Sequence, residues 1–113
     1  MKLTQTKILP EVGVSHNIDI KKKVFIEKGS VPHLMMFGSA TFLPGQSVET
    51  HKHDSMNEIF YIETGKADFI INDKKITVVP GDCITIEQGE FHSMSNPYLE
   101  KTTWIYFGIA TDK

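Results

Sequence analysis

The residues best suited to chemistry in this chain lie in the segment His51-Lys52-His53-Asp54-Ser55-Met56-Asn57-Glu58. Two imidazoles stand two positions apart there, and a carboxylate follows. On a β-strand, residues i and i+2 project from the same face with α-carbons about 6.5 to 7 Å apart, so two such imidazoles can bind one cation. The spacing therefore predicts a metal site that contains His51 and His53.

Glu58 cannot share an uninterrupted strand face with the two histidines, because its separation from them has the wrong parity. The polar residues 54–57 are suited to a turn, which would bring Glu58 back from the neighbouring strand. Among the remaining histidines, His92 is the best candidate for a further ligand, because it follows the Gly89 turn at the start of another predicted strand. A fourth ligand, if the site has one, is therefore sought at His92.

The chain that must position these residues has 113 residues, 40% hydrophobic and 23% charged, which predicts a single domain over residues 1–113. Apolar residues recur at spacing two or in short blocks, turn residues interrupt them regularly, and no segment shows a helical stripe. This pattern predicts an all-β barrel or sandwich. Residues 1–20 look less regular and are predicted to form an N-terminal arm. The predicted strands are Val24–Glu27, His33–Leu43, Val48–His53, Glu58–Thr64, Lys66–Ile71, Lys75–Val79, Asp82–Glu87, Phe91–Ser95 and Thr102–Ile109.

Charge and hydropathy exclude several classes of partner. Twelve Lys+Arg against fourteen Asp+Glu give a formal net charge of −2, which argues against binding to nucleic acid or to anionic lipid. The apolar stretches fall well short of the ~18 residues of a membrane span, and residues 1–10 lack the apolar core of a signal peptide. We predict a soluble, cytoplasmic protein. The single cysteine, Cys83, excludes an intramolecular disulfide.

The motifs around the proposed site resemble those of the cupin superfamily. The first cupin motif, G-x5-H-x-H-x4-E-x6-G, is matched in full by Gly45, His51, His53, Glu58 and Gly65. The second, G-x5-P-x-G-x2-H-x3-N, is matched by Gly81, Gly89, His92 and Asn96, with Glu87 in place of its proline. Residues 45–96 carry the resemblance. It implies an antiparallel, double-sheet, jelly-roll-like barrel that holds one divalent transition metal ion through His51, His53, Glu58 and His92.

Other conspicuous residues are predicted to serve structure. His16 and His33 are predicted to be surface or structural residues outside the site, and Cys83 to be a small buried hydrophobe. Glu87 is predicted to be a solvated turn residue, the alternative being a carboxylate that reaches the pocket. Core or subunit contacts are predicted for Trp104, Tyr106 and the run Met35-Met36-Phe37.

Three imidazoles and one carboxylate around a divalent ion would leave a net charge near +1 and two open coordination positions. Mn, Fe, Co, Ni, Cu and Zn all suit such a site. The first hypothesis is a metal-dependent enzyme of isomerase, lyase or dioxygenase type that acts on a small oxygenated or sugar-derived metabolite. The alternative is a non-catalytic binding or sensing module in which the ion anchors the ligand, and a third is a protein kept for its fold and dimer surface.

Strand parity predicts what surrounds the site. Counting by two from Glu58 and from His92 places Phe60, Ile62 and Met94 on the interior face, where they would line an apolar, substrate-binding cavity. The residues predicted to point outward are apolar too. They are Ile59 and Tyr61 on one strand and Ile84 and Ile86 on another. Either a second sheet of the same domain or a second subunit must cover these outward-facing residues. We therefore predict a homodimer whose interface includes the N-terminal segment.

Overall fold

The computed structural model describes residues 1–111, which form ten β-strands and a 3₁₀ turn at Thr6–Ile8. All strand pairs are antiparallel. Within the described residues, no helix is long and apolar enough to cross a membrane. The strands are β1 (Val12–Val14), β2 (Asn17–Ile26), β3 (Leu34–Phe42), β4 (Ser47–His51), β5 (Met56–Thr64), β6 (Ala67–Ile71), β7 (Lys74–Val78), β8 (Cys83–Ile86), β9 (His92–Ser95) and β10 (Thr102–Ala110).

The strands form two sheets that share one core. The larger sheet has the order β1-β2-β3-β10-β5-β8, and the smaller has the order β4-β9-β6-β7. Side chains on β5 alternate as predicted, since Phe60 and Ile62 are buried whereas Tyr61 is exposed. Trp104 on β10 packs at the centre of the core, with ring centroids 4.5 Å from Phe42 and 5.4 Å from Phe69. The antiparallel, double-sheet, jelly-roll-like fold is therefore confirmed.

The prediction of an irregular N-terminal arm over residues 1–20 is wrong for its second half, which contains strand residues. β1 and β2 pair as a hairpin, and β2 continues into a pairing with β3. Ile20 lies fully buried in the core. Apolar residues do alternate at Val12 and Val14 and at Ile18 and Ile20, but a turn separates the two pairs and three lysines follow the second, so each run is too short to predict a strand.

The prediction of which β8 side chains point into the core is also wrong. Ile86 is buried in the core and Ile84 packs against it, whereas Cys83 and Thr85 are exposed. β8 is an edge strand that pairs with β5, and its residue Ile84 lies opposite Phe60. Directly paired residues share a sheet face, so the inward side of β5 decides which side of β8 is buried.

The glycine that ends the first motif is required by a close approach of two chain segments. Gly65 has φ of +72°, and a β-carbon at this position would lie 2.3 Å from the carbonyl oxygen of Lys101. Only a residue without a β-carbon fits both conditions. Gly65 therefore lets the chain reverse after β5 beneath the start of β10.

A buried carboxylate fastens the loop before β10 to the smaller sheet. Asp68 is 5% exposed. Its carboxylate accepts hydrogen bonds from the hydroxyls of Tyr98 (2.7 Å) and Thr77 (2.9 Å), and lies 3.3 Å from the ammonium of Lys75. Burial alone would raise the pKa of Asp68, but these partners outweigh it and hold the pKa below its ordinary value of 3.8.

This depressed pKa predicts a specific acid dependence of stability. Ionised Asp68 stabilises the fold at pH values above its ordinary pKa, and that stabilisation is lost as the pH falls through the lower folded-state pKa. Between about pH 5 and about pH 3, urea denaturation should show a steeper loss of unfolding free energy for the wild type than for Asp68→Asn. Asp73→Asn, in the exposed turn after β6, is the matched control. Parallel pH curves for the wild type and Asp68→Asn would contradict the assignment.

Candidate metal centre

The four residues proposed as ligands come together between the two sheets. His51 ends β4, His92 begins β9, and the two are direct partners in the smaller sheet. His53 lies in the connection to β5, and Glu58 projects from β5 in the larger sheet. One nitrogen from each histidine and one carboxylate oxygen all lie within 4.8 Å of one another. The connection at residues 52–55, shorter at its C-terminal end than the turn predicted over 54–57, brings Glu58 back toward the histidines from the neighbouring sheet.

The spacing of these atoms suits a shared metal ion. Oε1 of Glu58 lies 3.3 Å from Nε2 of His53 and 3.4 Å from Nε2 of His92. Two ligand atoms about 2.1 Å from one ion stand about 3.0 Å apart at a right angle and about 3.4 Å apart at a tetrahedral angle. The observed separations are those of neighbouring ligands in either geometry.

Backbone carbonyls determine which imidazole nitrogen is available. Nδ1 of His51 lies 2.8 Å from the carbonyl oxygen of Glu49, and Nδ1 of His92 lies 3.0 Å from that of Glu90. A carbonyl oxygen can only accept, so each Nδ1 carries the proton and donates it. Both Nε2 atoms are thereby left with their lone pairs directed at the cluster, as in histidines that ligate metals.

One of these nitrogens is buried without a hydrogen-bond partner. His92 is 1% exposed, and its Nε2 makes no hydrogen bond within the described residues, since the 3.4 Å approach to Glu58 does not meet hydrogen-bond geometry. An unsatisfied buried polar atom costs about 1–3 kcal/mol. A metal ion would satisfy this nitrogen, so the residues present fit a metal ion.

The electrostatics of the cluster keep the carboxylate charged. Burial would raise the pKa of Glu58, but the imidazoles of His53 and His92 outweigh it and lower the pKa to about 2. Burial would lower the pKa of His92, but Glu58 and the carbonyl of Glu90 outweigh burial, so the pKa of His92 is raised. For His51, burial prevails and the pKa is lowered. At neutral pH the cluster therefore offers an ionised carboxylate and a neutral His51.

The prediction that His16 lies outside the site is wrong. His16 sits in the turn between β1 and β2, and its ring stacks on that of His51 with centroids 4.0 Å apart and planes 27° apart. Its centroid lies 6.3 Å from that of His53. No local spacing signals this contact, because a hairpin distant in sequence places the ring there. His33 lies outside the cluster, as predicted.

A cavity of about 240 Å³ opens onto the cluster and reaches the solvent. Phe60 and Met94 line it as predicted, whereas Ile62 lies deeper in the core and does not. Tyr106 packs against the core, as predicted, and it also lines the cavity together with Met35 and Met36. β3 has an extra residue opposite β10 at this point, and this irregularity sends two consecutive methionines toward the same cavity.

The residue that replaces the proline of the second motif stays at the surface. Glu87 is exposed and does not line the cavity, as the solvated-turn interpretation predicts. Its backbone N–H donates a hydrogen bond of 2.7 Å to the carboxylate of Glu90. A proline could not make this bond, so the hydrogen bond supports the turn in its place.

The fold and the cluster together define a cupin. The cupin domain family matches residues 38–108, and the chain belongs to that family. Among proteins of known name, the chain is similar to an oxalate-binding protein of Thermotoga maritima, with 38% identity over 61 residues. That alignment spans 54% of this chain and 50% of the relative, so the chain matches about half of the relative's length.

Solved structures share the fold at lower identity. A predicted oxalate decarboxylase from Thermotoga maritima superposes with a TM-score of 0.88 at 23% identity, covering 96% of this chain and 99% of that one. The polyketide cyclase from Streptomyces resistomycificus superposes with a TM-score of 0.81 at 18% identity, covering 99% and 80%. These likenesses show the fold alone, while proteins that carry it differ in their named activities.

Proposed function

We propose that this cupin is a metal-dependent enzyme that acts on a small oxygenated metabolite. The observation that carries the proposal is the buried, unpartnered Nε2 of His92 beside an ionised Glu58, at the end of a cavity open to solvent. His51, His53, Glu58 and His92 would hold one divalent transition metal ion. When bound, such an ion supplies Lewis-acid chemistry or, if it is iron, oxygen activation. Isomerase, lyase and dioxygenase reactions are the classes that fit.

The chain's own residues prepare the site for this chemistry. The carbonyls of Glu49 and Glu90 hold two imidazoles in one tautomer, so little reorganisation is needed when an ion binds. Glu58 is already ionised and lowers the net charge at the site. The apolar walls exclude water from the bound substrate, which strengthens electrostatic interactions there.

The decisive experiment combines metal analysis with a test for turnover. Protein purified without chelators would be analysed for its metal content, then incubated with 2-hydroxy acids, 2-keto acids and oxalate while NMR and an oxygen electrode follow the reaction. We expect about one ion per chain and conversion of at least one compound. Chelator treatment should abolish the conversion. A chain that binds no divalent transition metal would contradict the proposal.

The alternative proposal is a non-catalytic module in which the ion anchors a ligand. It is favoured by the name of the relative that is 38% identical, an oxalate-binding protein. The candidates for an acid or base that lie nearest the ligands in sequence, Glu49, Tyr61 and Glu63, are exposed and do not line the cavity. Saturable binding of oxalate to the metal-loaded protein without any product would favour this module over the enzyme.

We further propose that the chain pairs with a second copy through the outer face of the larger sheet. Phe25, Phe37 and Phe107 form an edge-to-face row on that face, with centroids 5.3 and 6.1 Å apart, and none is buried. The N-terminal segment lies beside the row, where the Thr4 hydroxyl donates to the carbonyl of Phe25. Two-fold pairing is the commonest way to bury such a surface.

Light scattering at micromolar concentration should therefore give about twice the chain mass of 12.8 kDa. Phe37→Glu should reduce the value to that of one chain, because a charge in the centre of the row would be buried without a partner. Leu99→Glu, at a side chain that is 97% exposed, is the control and should stay dimeric. A monomeric wild type would contradict the pairing.

A further inference from the structure

The cavity above the cluster has an apolar wall that the metal site alone does not require. It consists of three thioethers and two stacked rings, namely Met35, Met36, Met56, Phe60 and Tyr106. The rings of Phe60 and Tyr106 are 2° from parallel with centroids 5.4 Å apart. No hydrogen bond in residues 1–111 involves the Tyr106 hydroxyl, and burial and the charge of Glu58 raise its pKa, so it stays protonated and able to donate. Thioethers adapt to the shape of an apolar ligand.

A glycine makes room for this wall. A β-carbon at Gly108 would lie 2.8 Å from the sulfur of Met56 and 3.2 Å from the β-carbon of Met35. Any larger residue at this position would therefore push both methionines out of place. Gly108 pairs directly with Glu58, so this space adjoins the cluster.

The cavity lining also has polar members. Ser15 and His16 from the turn between β1 and β2, and Lys22 from β2, line it, and the ring of His16 stacks on that of His51. These side chains can pair with a carboxylate. A ligand with an anionic head and an apolar body would thus find groups that match both of its parts.

The size of the cavity indicates the size of the body. An apolar cavity of about 150 Å³ accommodates benzene, and the cavity here is about 240 Å³. We propose that the ligand is a 2-hydroxy or 2-keto acid whose second carbon carries an apolar group of about the size of a phenyl ring. This inference rests on the proposed metal site, which would bind the carboxylate and the adjacent oxygen.

The test uses two acids with the same chelating head. Glycolate and mandelate differ by a phenyl ring, and calorimetry on Co²⁺-loaded protein would give both affinities. We expect mandelate to bind about 10- to 100-fold more tightly, because the ring would bury its apolar surface against the thioethers. In Met56→Gln the advantage should fall at least about threefold while glycolate affinity is unchanged, which also shows that the variant folds. Leu99→Gln should retain the full advantage.

The outcomes separate this inference from the proposed function. Equal affinities for the two acids would overturn the inference and leave the metal-dependent function standing. An advantage of mandelate that persists in Met56→Gln would overturn the assignment of the wall. Co²⁺-loaded protein that binds neither acid would overturn the inference alone, whereas failure of Co²⁺ to bind at all would overturn the proposed function and the inference together.

Discussion

Alanine at any one of His51, His53, Glu58 and His92 is expected to weaken metal binding by more than about 100-fold. Loss of a residue that merely orients a ligand typically costs 10- to 100-fold, so loss of a ligand should cost more. Glu58→Gln is the sharpest variant, because it preserves volume and removes only the charge. Competition against a chelator of known affinity would measure the change, and elemental analysis of the purified variants would give the stoichiometry.

The control for this series must be a histidine away from the cluster. His16 does not qualify, because its ring stacks on that of His51. His33 qualifies, and asparagine suits its positive φ of 71°. His33→Asn should keep the wild-type affinity and stoichiometry. Equal loss of metal from His33→Asn and Glu58→Gln would refute the assignment of the site.

Asn96→Asp is expected to lower the free energy of unfolding by about 2–5 kcal/mol. Asn96 is fully buried, and its amide nitrogen donates to the carbonyls of Phe42 (3.0 Å) and Glu100 (2.8 Å). A carboxylate has the same shape but cannot donate, so both carbonyls would lose their partner beside a buried charge. Urea denaturation at neutral pH would measure the loss.

Asn72→Asp is the matched control for this substitution. Asn72 lies in the exposed turn after β6, where its side-chain oxygen accepts a hydrogen bond of 3.0 Å from the N–H of Phe91 and its amide donates only a long, exposed bond of 3.5 Å to the carboxylate of Glu90. Aspartate can accept the same bond, so we expect a change of less than about 1 kcal/mol. Similar losses for the two variants would show that Asn96 does not act through the bonds it donates.

Motif spacing accounts for the proposed metal site but not for its surroundings. His51, His53 and Glu58 lie close together in sequence, so their spacing and one turn predict that they meet, whereas His92 joins them through the pairing of β9 with β4. His16 contacts His51 only because the turn between β1 and β2, near the N-terminus, lines the cavity beside it. A contact between segments so far apart leaves no periodic signal in either one.

The difference between local spacing and contacts of distant segments also explains which buried strand faces were predicted correctly. Counting by two from Glu58 predicts the correct buried face of β5, although apolar residues occupy both of its faces. The opposite face is predicted for β8 because Cys83 is expected to be a small buried hydrophobe, whereas pairing with β5 turns Ile84 and Ile86 inward.

By itself, the sequence determined the all-β class and the cupin motifs, because these depend on local spacing and turn chemistry, and the motifs in turn implied the four proposed ligands. The tertiary structure alone decided the contact of His16 with His51, the exposure of Cys83 and the methionine-rich wall of the cavity. Each of these arises from pairing between strands distant in the chain. In a double-sheet fold, pairing selects which of two chemically acceptable faces is buried, and that choice is made only when the sheets pack.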